Sequence, residues 1–113
     1  MTIKVKICGI NNEESLKAAI SGGASAIGFV FFSRSPRALN LEEAACLAVN
    51  VPKSILRVGL IVDMGDKEIL ELLDAVPLDI LQLHGEETPK RTEQIAKISG
   101  LPLIKAIKVE KIS

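Results

Sequence analysis

A chain of 113 residues with 48% hydrophobic content has the length of one domain and enough apolar mass to bury a core. Lysine plus arginine and aspartate plus glutamate each total 14, and three Phe stand without Trp or Tyr, so neither net charge nor stacking platforms favour nucleic acid or an anionic membrane. The opening MTIKVKICGI is interrupted by lysines where a signal peptide would run apolar, no later run has the length of a bilayer span, and Cys8 and Cys46 lack metal-ligand spacing; these features predict a cytoplasmic protein with two free thiols.

Strand-like and helix-like patterns alternate along the whole chain. A strand from Ile3 to Cys8 leads to Asn11, expected as an N-cap with Glu14 completing a capping box. Leu16, Ala19, Ile20 and Gly23 then recur at helical spacing, and Gly22-Gly23 ends that helix. A second strand runs from Ala26 to Phe31. After the polar loop Ser33-Arg34-Ser35-Pro36-Arg37 comes a helix over Leu41–Val49 with Leu41, Ala44, Ala45 and Ala48 on one face; Cys46, small and beside that stripe, is expected to be structural. Leu56–Val62 is the third strand, and Asp66 opens a helix carrying Ile69, Leu72, Leu73 and Val76. Asp79–Leu83 is the fourth strand. Thr88 and Pro89 then cap and start a helix with Ile95 and Ile98 that stops at Gly100, before a fifth strand over Leu103–Ile107.

Unbroken βα alternation with short connections specifies an α/β fold with a parallel sheet and right-handed crossovers. Two architectures fit: a small doubly wound sheet, or the first half of an eight-fold barrel, which as a whole needs roughly 200 residues or more. In both, ligands sit at the C-terminal ends of the strands.

Residues with chemistry gather at those ends. Ile3, Val5 and Ile7 share one face of the first strand and Lys4, Lys6 and Cys8 the other, so Cys8 stands at a strand end above Lys6, with Gly9 making the turn. This fits a polar cleft or barrel interior; the structural alternative is a small buried cysteine with a lysine snorkelling past it. Gln82 and the single histidine, His84, share a face of the fourth strand, and Gly85 turns the chain beyond them. Arg34 and Arg37 flank Pro36, where a rigid arginine can clamp a carboxylate. Lys105 adds a second lysine on a face that could look inward, and its partner would be a bound anion or residues beyond the fifth strand. No dinucleotide fingerprint, phosphate loop or metal-ligand cluster occurs.

The ordered set Lys6-Ile7-Cys8-Gly9-Ile10, Gly28-Phe29-Val30-Phe31, Ser35-Pro36-Arg37, Arg57-Val58-Gly59, Gln82-Leu83-His84-Gly85 and Ile104-Lys105-Ala106 resembles the phosphoribosylanthranilate isomerase family of tryptophan biosynthesis over nearly the whole length. The resemblance implies a (β/α)8 TIM barrel, of which residues 1–113 would be the N-terminal half: about four βα units plus the fifth strand, with no second domain. It implies an aldose-ketose isomerase that converts N-(5'-phosphoribosyl)anthranilate to 1-(2-carboxyphenylamino)-1-deoxyribulose 5-phosphate by Amadori rearrangement, without metal or organic cofactor. Cys8 would be the general base on C2 of the ring-opened Schiff base and Arg37 the holder of the anthranilate carboxylate. Gln82 and His84 would line the site, His84 orienting either substrate or thiol. A free thiol has a pKa of about 8.5, and an ammonium such as that of Lys6 nearby would favour the thiolate.

The family's general acid lies beyond the fifth strand and its phosphate site after the seventh and eighth, so these 113 residues would carry the base and carboxylate clamp alone. Each missing part is worth on the order of 10² in rate. The expected partners are a phosphorylated small molecule and either a second copy of the chain or a C-terminal half-barrel, with nucleic acid and membrane excluded. The rival readings are a non-catalytic half-barrel assembly module and a small anion-binding α/β domain.

Overall fold

The computed structural model describes residues 6–31 and 39–105, with residues 6–8 as backbone. The element order is β1 (Lys6–Cys8), α1 (Glu13–Ser21), β2 (Ala26–Val30), α2 (Leu41–Ala48), β3 (Leu56–Ile61), α3 (Asp66–Ala75), β4 (Ile80–Leu83), α4 (Pro89–Ser99) and β5 (Leu103–Lys105). The expected strand residues Ile3–Val5, Ala106 and Ile107, with Lys4, lie outside the described residues, as do Arg34 and Arg37.

Caps set the helix boundaries. The cap of α1 is Asn12 rather than Asn11: its side chain accepts from Ser15 N at 2.7 Å, which makes Ser15, not Glu14, the third helical residue, and the expected capping box does not form. A full capping box opens α2 instead, where Asn40 accepts from Glu43 N at 2.8 Å and Glu43 accepts from Asn40 N at 3.3 Å. That start turns Ala44, Leu47 and Ala48 inward and leaves Leu41 exposed, so Leu47 takes the place expected of Leu41. In α4, Thr88 accepts from Arg91 N at 3.0 Å, Pro89 fills a first-turn position and Gly100 closes the helix in the left-handed region.

The five strands form one parallel sheet in the order β1-β2-β3-β4-β5. Ile27 and Phe29 of β2, Ile61 of β3, and Leu81 and Leu83 of β4 are fully buried in one cluster with Leu16, Ala44, Leu47, Ile69, Leu72 and Ile95 from all four helices. Alternate strand residues thus face the helices, and every helix lies on that side. Sequential order with one-sided helices excludes the doubly wound sheet, which needs helices on both faces. The opposite face carries Val30, Val58, Leu60, Ile80, Gln82 and Ile104, in rows set by the parallel register.

At the N-terminal ends of β3 and β4 an ion pair joins the two strands. Arg57 donates to Asp79 through Nε at 3.1 Å, Nη2 at 3.3 Å and its backbone N–H at 2.8 Å, while Asp79 N donates to Arg57 O at 2.8 Å. The side-chain hydrogen bond from Arg57 is the main cause holding the Asp79 carboxyl below the ordinary aspartate value; partial burial opposes it, and a backbone hydrogen bond and the Arg57 charge add to it. Because the folded state favours the carboxylate, this contribution is fully present above the unfolded aspartate pKa of about 4 and is lost as pH falls through the lower folded value. Asp79→Asn is therefore expected to cost about 1 kcal/mol at neutral pH, a modest figure because the pair is partly solvated. Urea unfolding of the two proteins from pH 7 down to pH 3 checks it: the gap should close at the acid end, and a gap independent of pH would rule out the charge as its source.

Candidate active site

The C-terminal ends of the strands bring together three of the five expected site residues. Cys8 ends β1 and is in register with Gly28, Gly28 with Val58, and Val58 with Ile80. Beyond that row β2, β3 and β4 continue to Val30, Ile61 and Leu83, the stagger expected of tilted barrel strands. Gln82 is the penultimate residue of β4 and His84 the first after it, so the backbone of Cys8, Gln82 and His84 lies along one rim. Gln82 is buried and His84 exposed. Lys6 begins β1, in register with Ala26, on the same alternation as Cys8. The side chains of Lys6 and Cys8, and all of Arg37, lie outside the described residues.

The turn after Cys8 is tied to the neighbouring strand. Gly9 adopts φ 80, a conformation that favours glycine, and its N–H donates to Gly28 O at 3.0 Å, with Ile10 N donating to the same oxygen at 3.3 Å. Ile10 is buried beneath the turn. The motif Cys8-Gly9-Ile10 is in this sense a fixed exit: the glycine turns the chain, the isoleucine anchors it, and the backbone of Cys8 is held at the rim.

The lip of β4 is held by residues that the sequence did not single out. Glu87 is buried at 4% exposure, with Oε1 accepting from Gly85 N and Oε2 from Asp63 N, both at 2.9 Å. Asp63 returns the contact, its Oδ1 accepting from Glu86 N at 3.0 Å. Asp63 also has φ 44, a left-handed conformation that aspartate tolerates at a cost of about 1 kcal/mol. A Cβ on Gly85 would lie 2.8 Å from the Asp63 carboxylate, so a larger residue there would displace that side chain. His84 N donates to Ile61 O at 2.9 Å, continuing the ladder to the lip. Arg91 extends the tie, donating to Met64 O at 3.0 Å and pairing with Asp66.

Two expectations are corrected. Lys105 is in register with Leu83, a core residue, so it belongs to the helix-facing side of β5 and not to the inward face. Its Nζ donates to the main-chain carbonyl of Glu87. The partner of this lysine is a carbonyl of the neighbouring loop, so no bound anion is needed to explain it. Cys46 is exposed, because α2 is rotated to bury Ala44, Leu47 and Ala48. Its smallness allowed a packed position, but its angle on the helix wheel does not. Among the described residues, no group of three or more His, Cys, Asp or Glu side chains is placed to hold a metal ion, and no helix is long and apolar enough to cross a membrane.

A parallel βα sheet in sequential order, helices on one side and a polar C-terminal rim, is the architecture of a TIM-barrel enzyme. The comparisons narrow it. The family model for N-(5'-phosphoribosyl)anthranilate (PRA) isomerase matches residues 5–113, and the chain belongs to that family. The curated N-(5'-phosphoribosyl)anthranilate isomerase of Parvibaculum lavamentivorans is 50% identical over 107 residues, which is 95% of this chain and 50% of that protein. The isomerase of Cereibacter sphaeroides is 46% identical over the same shares. A crystal structure of phosphoribosylanthranilate isomerase in complex with reduced 1-(o-carboxyphenylamino)-1-deoxyribulose 5-phosphate superposes with a TM-score of 0.89 at 38% identity, covering 96% of this chain and 55% of that one. The Thermotoga maritima enzyme gives 0.88 at 38% identity, with 96% and 52% covered. The chain therefore spans about half the length of the curated relatives it matches, and its fold is that of a half-barrel.

The exposure of Cys46 sets a direct check. Thiol labelling of the native chain should modify Cys46 without denaturant, and Cys46→Ser should remove that equivalent while changing stability by less than about 0.5 kcal/mol. Mass mapping of the labelled peptide reads it; a Cys46 that reacts only after unfolding would contradict the orientation of α2.

Proposed function

We propose that residues 1–113 are the N-terminal half of a phosphoribosylanthranilate isomerase barrel and carry the proton-abstracting and carboxylate-binding parts of its site. The observation that carries this reading is the family match over residues 5–113 combined with the common rim of Cys8, Gln82 and His84. The substrate is a small phosphorylated amino sugar, N-(5'-phosphoribosyl)anthranilate, and the reaction is internal: C1 is reduced as C2 is oxidised, with no external hydride acceptor. Once the ribose ring has opened to a Schiff base, the Cys8 thiolate takes the C2 proton. The electron pair left on C2 forms the C1–C2 double bond as the C1–N π pair of the protonated Schiff base moves onto nitrogen, giving an enolamine. C1 then gains a proton while the C2 hydroxyl loses its own, which gives the 2-ketose.

Lys6, two residues before Cys8 on the same alternation, supplies the positive charge that favours thiolate. Arg37, in the connection that follows β2, binds the anthranilate carboxylate, where a guanidinium fork matches both oxygens. Gln82 lines the site, and His84 at its lip contacts substrate. The acid for ring opening and the phosphate site belong, by family resemblance, to residues after the fifth strand. The biosynthetic role of the family supports a cytoplasmic location.

A 113-residue polypeptide of this sequence should have little isomerase activity and should gain it on addition of a C-terminal half-barrel of a relative. In that reconstituted enzyme Cys8→Ala should lower kcat by 10² or more, the scale of a lost general base. A fluorescence assay of anthranilate-derivative turnover decides it, and unchanged turnover in Cys8→Ala would remove the thiol from the reaction.

The same polypeptide should self-associate. Among the described residues β1 pairs only with β2 and β5 only with β4, and on the face away from the helices Leu56 and Ile104 are 46% and 42% exposed. Unpaired parallel edges and exposed apolar side chains favour pairing with a second copy or with a C-terminal half. Sedimentation at micromolar concentration should show dimers or larger species; a cooperatively unfolding monomer would count against it.

A further inference from the structure

We infer that Glu87 is a positioning residue: its buried carboxylate locks the β3–α3 and β4–α4 connections together and thereby fixes the lip that carries His84. The inference rests on the proposed assignment of that lip to the isomerase site. Three features of the geometry carry it.

The first is the direction of the contacts. Glu87 accepts with one oxygen from Gly85 N in its own β4–α4 connection and with the other from Asp63 N in the β3–α3 connection, at 2.9 Å each. Gly85 is the residue immediately after His84, and Asp63 leads from the end of β3, the strand to which His84 N is bonded through Ile61 O. His84 is thus held from its own N–H on one side and from the next N–H on the other.

The second is reciprocity. Asp63 accepts from Glu86 N at 3.0 Å, so two acidic side chains cross between the same two loops in opposite directions. Each receives backbone N–H groups, which suits a carboxylate and explains how two of them share one corner. The third is proximity: a Cβ on Gly85 would lie 2.8 Å from the Asp63 carboxyl carbon and oxygens, so the Asp63 side chain reaches across to the β4–α4 connection at Gly85. The Lys105 ammonium on the Glu87 carbonyl joins β5 to the same corner.

The consequence is specific. An exposed histidine on a free loop would sample many positions; at this lip its backbone is fixed before any ligand arrives, which is what an orienting contact to substrate requires. The 113-residue chain contains one histidine, so its imidazole is a unique spectroscopic reporter. In the labelled native chain Glu87→Gln, which keeps the shape but replaces one acceptor oxygen by a donor, should shift or split the His84 Cε1–Hε1 correlation. It should also raise amide exchange of Gly85 and Asp63 by about tenfold or more, with Ile27 and Ile69 amides unchanged. Asp63→Asn, which retains an acceptor oxygen and tolerates positive φ, should leave His84 in place, whereas Asp63→Ala should move it.

Should Glu87→Gln fail to fold, Glu87→Asp takes its place: it keeps the charge and both acceptor oxygens but is one methylene shorter, so it should lose the Asp63 N contact and move His84 in the same readout. A His84 correlation unmoved in the folded variants, whatever their loss of stability, would overturn the proposal and leave Glu87 as a buried carboxylate that only stabilises. None of these readouts needs turnover. A reconstituted barrel without isomerase activity would therefore refute the functional reading while the brace is tested on its own.

Discussion

Four successive βαβ crossovers place every helix on one side of the sheet and every βα connection at one rim, and the remaining features of this protein follow from that arrangement. Each strand contributes alternate residues to the helix-packed core and to the opposite face. The division is visible at β4, where Leu81 and Leu83 are buried in the helix-packed core cluster while Gln82, and His84 just beyond the strand, take the other alternation. Chemistry placed at the ends of different strands is thereby gathered along one line without any loop having to reach for it.

The two rims of the sheet are built differently. At the N-terminal rim Arg57 and Asp79 form a bidentate, partly solvated ion pair that joins β3 to β4, with its backbone groups bonded in both directions. At the C-terminal rim Glu87 and Asp63 accept from backbone N–H groups, and Lys105 donates to a main-chain carbonyl. The first arrangement links strands and can exchange with water. The second sets loop positions, with its key carboxylate withdrawn from solvent. That contrast matches the division of labour in such barrels, in which one rim serves stability and the other function.

Most of the element pattern was legible from apolar periodicity and caps, because Thr88-Pro89 and Gly100 act locally on their own helix. Register and face were legible where strands alternate cleanly, as at Gln82 and His84. Three errors have a common origin in helix phase and strand parity. A shift of one residue, Asn12 for Asn11, moves the capping box out of reach; the rotation of α2 exposes Cys46; and the parity of β5 turns Lys105 toward the helix side. The cap is a local choice between two adjacent asparagines, whereas the other two depend on neighbours distant in sequence. The Glu87 brace was illegible for a stronger reason: it joins a side chain to a main-chain N–H 24 positions away, and a main-chain donor leaves no mark in the sequence. The available signal was indirect, an acid following β3 and another two residues after Gly85.

The central claim is that the rim defined by Cys8, Gln82 and His84 is the substrate face of an isomerase half-barrel. The most direct measurement is a heteronuclear NMR titration of the 113-residue chain with reduced 1-(o-carboxyphenylamino)-1-deoxyribulose 5-phosphate, the compound bound in the related crystal structure. Shift changes should concentrate at Cys8, Gly9, Gln82, His84 and Gly85. Changes centred on Arg57 and Asp79, at the opposite rim, or on the outer faces of the helices would contradict the account.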